Sequence, residues 1–311
     1  MAKKRTRESL YVRYARLAYQ VTQATFAAYR HRNSPHLYTQ PQLISCVLLG
    51  FYLDRSYRDL EEWLLASSEV RAVLGLESVP HYSSLCRTFQ RLRLAELEQL
   101  HAQLLAQLGL ETALVAVDAS GFRPTRASQH YLSRCGRLMR DYVKGFYAVA
   151  TEQQYILAWR YARGPSGSDA PYWNCMRRRV TRFLKPVNRL TTWVLVGDKG
   201  FDGPQLRPYD LVPPRQGQHA VRRADRRERL TFTRLARLEA VLGQRWIVET
   251  VFSVMKRKSG DALRSATVAR QRRELAWKAL VYNLHRLPSL LALHFATEQL
   301  QQACFSDSRR L

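Results

Sequence analysis

The run A-L-V-A-V-D-A-S-G, Ala113 to Gly121, decides the fold class, because the texture of the chain changes there from helical to extended. Ala113 to Val117 is a short, nearly continuous apolar segment rich in Val, bounded by Asp118, Ser120 and Gly121. Such a segment suits a strand buried on both faces and places Asp118 at or just past its carboxyl end. Downstream, the stretches 144–150 and 155–161 read as two further strands joined by the polar turn Glu152-Gln153-Gln154. Past Gly164-Pro165-Ser166-Gly167-Ser168, a helix is expected from near Asp169 to just before Pro186. In T-T-W-V-L-V-G-D-K-G-F-D-G, Thr191 to Gly203, a fourth strand at 193–196 runs straight into Asp198, and a short helical turn is expected at 201–206. Leu211-Val212 is a candidate fifth strand ahead of a strongly basic connector. Strands, helix, strand and long terminal helices together predict a mixed α/β layer fold.

Outward on the amino-terminal side, residues 8 to about 110 carry a helical pattern with no convincing strand and no internal repeat. Thr39 is placed as an N-cap with Pro41 in the first turn, and Ser56 with Asp59 as a second capping pair. The break Pro80-His81-Tyr82-Ser83-Ser84 caps a helix carrying Arg87, Gln90 and Arg91, and a last helix from about Leu94 stops at Gly109. A short turn followed by a helix with exposed Arg and Gln is a candidate helix-turn-helix reading element, with Arg87, Gln90 and Arg91 as its DNA contacts. A basic helical hairpin that only grips phosphates has the same sequence pattern. The expected organisation is a helical region at 1–111 that includes the candidate DNA-binding element, a mixed α/β domain at 112–262 with its basic connector at 215–235, and C-terminal helices at 263–311 packing on that domain.

Composition narrows the partners. With 50 Lys and Arg against 25 Asp and Glu, the net charge is +25, spread along the whole chain. A globular protein this basic repels itself until a polyanion screens it, so nucleic acid is the first partner to consider. The longest apolar runs, 43–53 and 277–294, are too short or too interrupted to span a bilayer, so no membrane association is expected. Five scattered cysteines without a C-x-x-C pair read as reduced thiols, and no signal peptide is evident. A cytoplasmic, nucleoid-associated protein fits both facts.

The stretch Q-R-W-I-V-E-T-V-F-S-V-M-K-R, Gln244 to Arg257, sets one acid among bases at helical spacing. Arg245 lies four residues before Glu249 and Lys256 seven after it, which puts all three on one face with Phe252 and Ser253 between them. An isolated R-x-x-x-E is ordinarily a solvated ion pair. Asp118 and Asp198 change that reading. Each lies near the end of an apolar strand, where open sheets collect their ligands, and adjacent strands would bring both carboxylates to one edge. Gly200 permits a tight turn beside Asp198. Three carboxylates at element boundaries in so basic a chain are the oxygen donors a hard divalent ion needs.

These residues resemble those of the DDE transposases encoded by bacterial insertion sequences, in the large four-and-five superfamily with an RNase H-like catalytic domain. The resemblance rests on A-V-D-A-S at Asp118, V-G-D-K-G-F-D-G at Asp198 and R-W-I-V-E-T-V-F-S-V-M-K-R around Glu249. It extends through Y-R-D-L-E-E-W-L, L-G-L and V-P-H-Y-S-S-L in the helical region to A-L-V-Y-N-L-H-R-L at Ala279 to Leu287. Position 242 departs from it, with Leu where the family often has Tyr. The resemblance implies that Asp118, Asp198 and Glu249 bind two Mg²⁺ ions about 3.5–4 Å apart, with Mn²⁺ able to substitute. It also implies cleavage and strand transfer at an element's terminal repeats and a target DNA, by a homodimer or larger assembly. Arg245 and Lys256, with Lys144 and Lys199, are the candidate phosphate contacts. Two alternatives are a catalytically silent DNA binder, such as a repressor or decayed transposase, and a related metal-dependent nuclease or resolvase.

Overall fold

The apolar run at 113–117 is only the start of a longer strand. In the computed structural model, which describes residues 8–33, 36–124, 142–163, 168–215 and 224–307, β1 spans Leu114–Pro124. It pairs antiparallel with β2 (Val143–Ala150) from Val115↔Ala150 to Phe122↔Val143. Ser120 and Gly121 do not end the strand, because Gly145 and Lys144 pair with them across the ladder. Asp118 therefore lies inside β1, a correction to its expected place at the strand end. What ends near it is the other pairing. On its far edge β1 runs parallel to β4 (Val194–Gly197) only from Leu114↔Val194 to Val117↔Gly197.

β3 (Ile156–Arg163) pairs antiparallel with β2, so the sheet order is β3-β2-β1-β4, and the two-residue β5 (Ala262–Leu263) adds to the far end of β1. The expected fifth strand at 211–212 shrinks to one parallel bridge, Val196↔Leu211. Pro213 and Pro214 follow and have no N–H to donate, so the ladder cannot grow. β2 is buried at nearly every position, as in a sheet covered on both faces. A mixed sheet preceded in sequence by a helical region is the arrangement expected of an RNase H-like domain.

This sheet belongs to the unit Arg93–Ala279; a second unit comprises Met1–Leu92 and Leu280–Leu311. In the sheet's unit, α6 (Leu94–Ala106) sends the buried His101 between the rings of Trp159 and Phe183, and its Nε2 bonds the Leu157 carbonyl at 3.0 Å. Phe183 sits on α7 (Trp173–Leu184), which packs on β3. α8 (Ala224–Leu238) is followed by a turn at Ala240, whose φ of +58° is left-handed and unfavourable for a residue with a Cβ. A 3-10 segment, Val241–Trp246, then leads into α9 (Ile247–Ser259). The buried Lys278 ammonium closes the carboxyl end of α9 by donating to the Ser259 and Gly260 carbonyls.

In the other unit, α1 (Leu10–Thr25) packs on α2 (Gln40–Tyr52), followed by α3 (Tyr57–Ala66), α4 (Ser68–Leu74) and α5 (Tyr82–Arg91). The capping expectations hold. Thr39 and Gln42 form a capping box with Pro41 in the first turn, and Ser56 accepts the Asp59 amide. Gly109 takes the left-handed φ of +56° after α6. α10 (Val268–Asp307) closes the described chain. Cys46, Cys86 and Cys175 are free thiols. Cys135, the stretch 164–167 and the core of the basic connector, 216–223, lie outside the described residues, as does the side chain of Cys304.

Candidate active site

Parallel pairing fixes the first two carboxylates. The last pair is Val117↔Gly197, so Asp118, still inside β1, and Asp198, the residue just past β4, come next along two adjacent, parallel strands. Gly197 is constrained by its neighbours, since a Cβ there would lie 2.6 Å from the buried Trp173 ring. Asp198 then caps a 3-10 turn, Lys199–Phe201, by accepting the Gly200 amide at 2.9 Å. A side chain at Gly200 would come within 2.8 Å of that carboxylate oxygen. The tight turn anticipated for this glycine is present at Lys199–Phe201, whereas the separate helical turn expected at 201–206 does not form, since residues 202–206 carry no helix.

Glu249 approaches from α9, which packs over β1 and β2 through Val248, Val251, Phe252 and Met255. Phe252 is buried edge-on against Tyr147, ring centroids 5.4 Å apart, so it belongs to the core and not to the Arg-Glu-Lys face. Arg245 precedes α9, in the 3-10 segment, yet still reaches both acids. Its Nη1 donates to Asp118 Oδ2 at 3.2 Å, and its Nη2 stands 3.5 Å from Glu249 Oε1. Lys256, near the other end of α9, donates to the Gly121 carbonyl at 3.1 Å and lies over the Phe122 ring at 5.0 Å. Desolvation lowers its pKa.

The electrostatics centre on Asp118. Burial raises its pKa to about 6, and the negative charges of Asp198 and Glu249 add to the rise. The Ala119 amide, 2.7 Å from Oδ1, and the Arg245 guanidinium oppose it without cancelling it. Among the described residues, no three His, Cys, Asp or Glu side chains are gathered into a group that could hold a metal ion. The donor chemistry nevertheless fits a hard divalent cation: all three groups are carboxylates, and their mutual repulsion is what such an ion would relieve.

The remaining sequence candidates scatter. Lys144 on β2 is ion-paired with Asp169, and Lys199 stands exposed beside Asp198. In the other unit, Arg87 folds back onto its own helix, bonding the Ser83 carbonyl at 3.2 Å and hydroxyl at 2.9 Å. Gln90 turns toward Cys86, with Nε2 3.2 Å from the sulfur. Arg91 lines a separate cavity with Tyr29, Arg30 and His31. Sequence reasoning passed over Trp246, which is 59% exposed next to Arg245. A Trp adjoining the candidate phosphate contact Arg245 is the signal the sequence carried, and an unburied indole offers a face on which a base can stack.

The model of the Transposase DDE domain family matches residues 110–284, more than half of the chain and the whole stretch that carries the three acids. No curated protein and no solved structure matches the chain.

Proposed function

Because the chain belongs to the Transposase DDE domain family, we propose that it is an insertion-sequence transposase of the four-and-five superfamily, which binds its element's ends, cuts them and joins them to target DNA. One observation carries this reading: Asp118 and Asp198 each directly follow the last pair of two neighbouring parallel strands, Val117↔Gly197, with Glu249 joined to Asp118 through Arg245. In it, 1–111 is the DNA-binding region, 112–262 the catalytic domain and 263–311 the segment supporting it. The protein acts in the cytoplasm, on the nucleoid, as a dimer or larger assembly that holds two ends.

Asp118, Asp198 and Glu249 hold the divalent ions of this reading, Mg²⁺ or Mn²⁺, which when bound supply activation of the attacking oxygen and stabilisation of the leaving one. The side chains do the rest. Asp118 must be ionised to serve as a ligand, so its raised pKa makes metal loading stronger as pH rises through about 6. Arg245, paired with two carboxylates, and Lys256, fixed against β1, place positive charge on both sides of Glu249, where they steady the phosphates of the strand being cut. Lys199 adds a third positive charge beside Asp198, and Lys144 a fourth on β2. In the helical region, Arg87, Gln90 and Arg91 contact the terminal repeats.

The decisive experiment incubates the full chain with DNA carrying the element's own ends, with and without Mg²⁺. Metal-dependent nicking at those ends, lost on Asp118→Ala, Asp198→Ala or Glu249→Ala, supports the reading. Cutting that survives any one substitution removes that residue from the site.

A further inference from the structure

The geometry points to a phosphodiester-binding cleft beside Asp198, in which Arg237, a residue of no assigned role, grips the strand that the carboxylates act on. The cleft has a volume of about 520 Å³ and is lined by Asp198, Lys199, Arg237, Leu242, Gly243 and Arg245 among others. That size is within the ~300–1,000 Å³ typical of sites that enclose a small organic group. The inference rests on the reading of this chain as a DNA-cutting enzyme and specifies where the cut strand is held.

Three cations line this cleft against one carboxylate, and their partners differ. Arg245 is engaged by Asp118 and Glu249. Lys199 and Arg237 are both exposed, and among the described residues neither side chain pairs with an acid. Two such cations converging on one concavity repel each other until an anion enters between them. A phosphodiester and a carboxylate each share one negative charge over two oxygens, but only the phosphodiester continues in both directions as a chain along an open cleft.

The cleft's wall is held in place. Arg237 is in the last turn of α8, and that helix is anchored by a buried ion pair, Arg229 Nη1 and Nη2 to Asp202 Oδ1 at 3.1 and 3.0 Å, each side chain 1% exposed. The other oxygen of Asp202 accepts the Arg215 amide at 3.0 Å, and the Arg215 side chain bonds the Lys199 and Gly200 carbonyls. The turn carrying Asp198 and the helix carrying Arg237 are thus braced through Asp202. A buried pair of this kind fixes geometry more than it adds stability. Gly243 forms an open side of the cleft, since a Cβ built there meets nothing within 4 Å.

The test is fluorescence anisotropy of the full chain in EDTA, so that nothing is cut, with a labelled single-stranded oligonucleotide titrated over a range of salt. Arg237→Ala should weaken binding roughly tenfold at low salt and make the slope of log K against log salt shallower by about 0.7, the value for one lost single-strand phosphate contact. Gly243→Phe, which adds a ring to the cleft's lining at a position where a Cβ meets nothing within 4 Å, should cost a similar amount. The double variant should lose little more than either single one, because both remove the same contact. Arg227→Ala, exposed on the same helix and away from the cleft, should change binding far less. Equal losses for Arg227→Ala and Arg237→Ala, or additive losses in the double variant, overturn the cleft and leave the enzyme reading standing. Failure of the unmodified chain to bind the oligonucleotide overturns both.

Discussion

Replacing Asp118 by Asn should make the protein more stable at neutral pH, and the size of the gain follows from the site. In the folded chain the Asp118 carboxyl titrates at about 6, raised by burial and by the charges of Asp198 and Glu249. In the unfolded chain it titrates near the ordinary value of about 3.9. A raised folded pKa contributes stability that is complete below about pH 3.9 and is lost as pH climbs through about 6. At pH 7.5 the ionised carboxylate therefore costs about 3 kcal/mol, roughly two pKa units at about 1.4 kcal/mol each. With a side chain 19% exposed, Asp118 is buried enough for most of that to survive solvent screening. Asn keeps the shape and has no carboxyl proton to lose, but its single oxygen accepts from either the Ala119 amide or Arg245 and not both, so about 3 kcal/mol is the upper end of the gain. Thermal melts of both proteins in EDTA should show the variant higher by about 6–12 °C at pH 7.5, using ~2–4 °C per kcal/mol for a domain of this size. At pH 4.5 the difference should shrink to about 1 kcal/mol. Adding Mg²⁺ should raise the unmodified protein and narrow the gap, since the ion binds the ionised site far better than the amide. A variant less stable than the parent at pH 7.5, or equally favoured at both pH values, would refute the argument that carboxylate crowding is held under tension here.

Glu249→Gln should lose nicking almost completely while keeping DNA binding, because an amide is a poor ligand for a hard cation; an electrophoretic binding assay beside the cleavage assay separates the two. Lys256→Ala should lower cleavage by about 10- to 100-fold, the scale of one charge-assisted contact of about 1.5–3 kcal/mol, and extra Mg²⁺ or Mn²⁺ should not restore it. His101, buried and with its pKa lowered to about 4 by desolvation, contributes stability that is present above about pH 6.5 and lost as pH falls through 4. His101→Gln should accordingly flatten the acid limb of a denaturation profile between those values. Gly197→Ala should cost about 1–3 kcal/mol in a urea titration, since its methyl would press on Trp173, and should reduce cleavage by displacing the adjoining Asp198.

Much of this was legible in the chain. The Val-rich runs ending near Asp118 and Asp198 announced strands, and the two did prove adjacent and parallel. Thr39 and Ser56 marked helix starts through side-chain oxygens whose only local use is to satisfy free amides. The reach from Arg245 to Glu249 followed from spacing alone, even though Arg245 lies in a 3-10 segment and not in the helix. Other features depend on partners distant in sequence. The full length of β1 is invisible locally, because Ser120 and Gly121 are turn formers that only the ladder to β2 holds extended. Spacing alone puts Phe252 three residues after Glu249 and four before Lys256, and cannot show that it turns into the core, which is decided by its contact with Tyr147. Asp202 and Arg229 lie 27 residues apart and give no sign of meeting until the fold brings them together. Arg237 was hidden in a basic stretch where one arginine looks like another.

The two ends of the carboxylate set differ in how tightly the backbone holds them. Asp118 hangs from a strand that β2 pairs along almost its whole length, whereas Glu249 hangs from the first turn of a helix entered through a left-handed alanine and a 3-10 segment, with its side chain 61% exposed. Amide hydrogens of β1 should therefore exchange with solvent only when the whole unit opens, and those of residues 241–249 through small local openings. A ligand that bridges the acids has a fixed pole and a yielding one. Its binding should slow exchange across 241–249 and leave the rates in β1 as they were, so that the site is completed by ordering its helical side against a strand that was already in place.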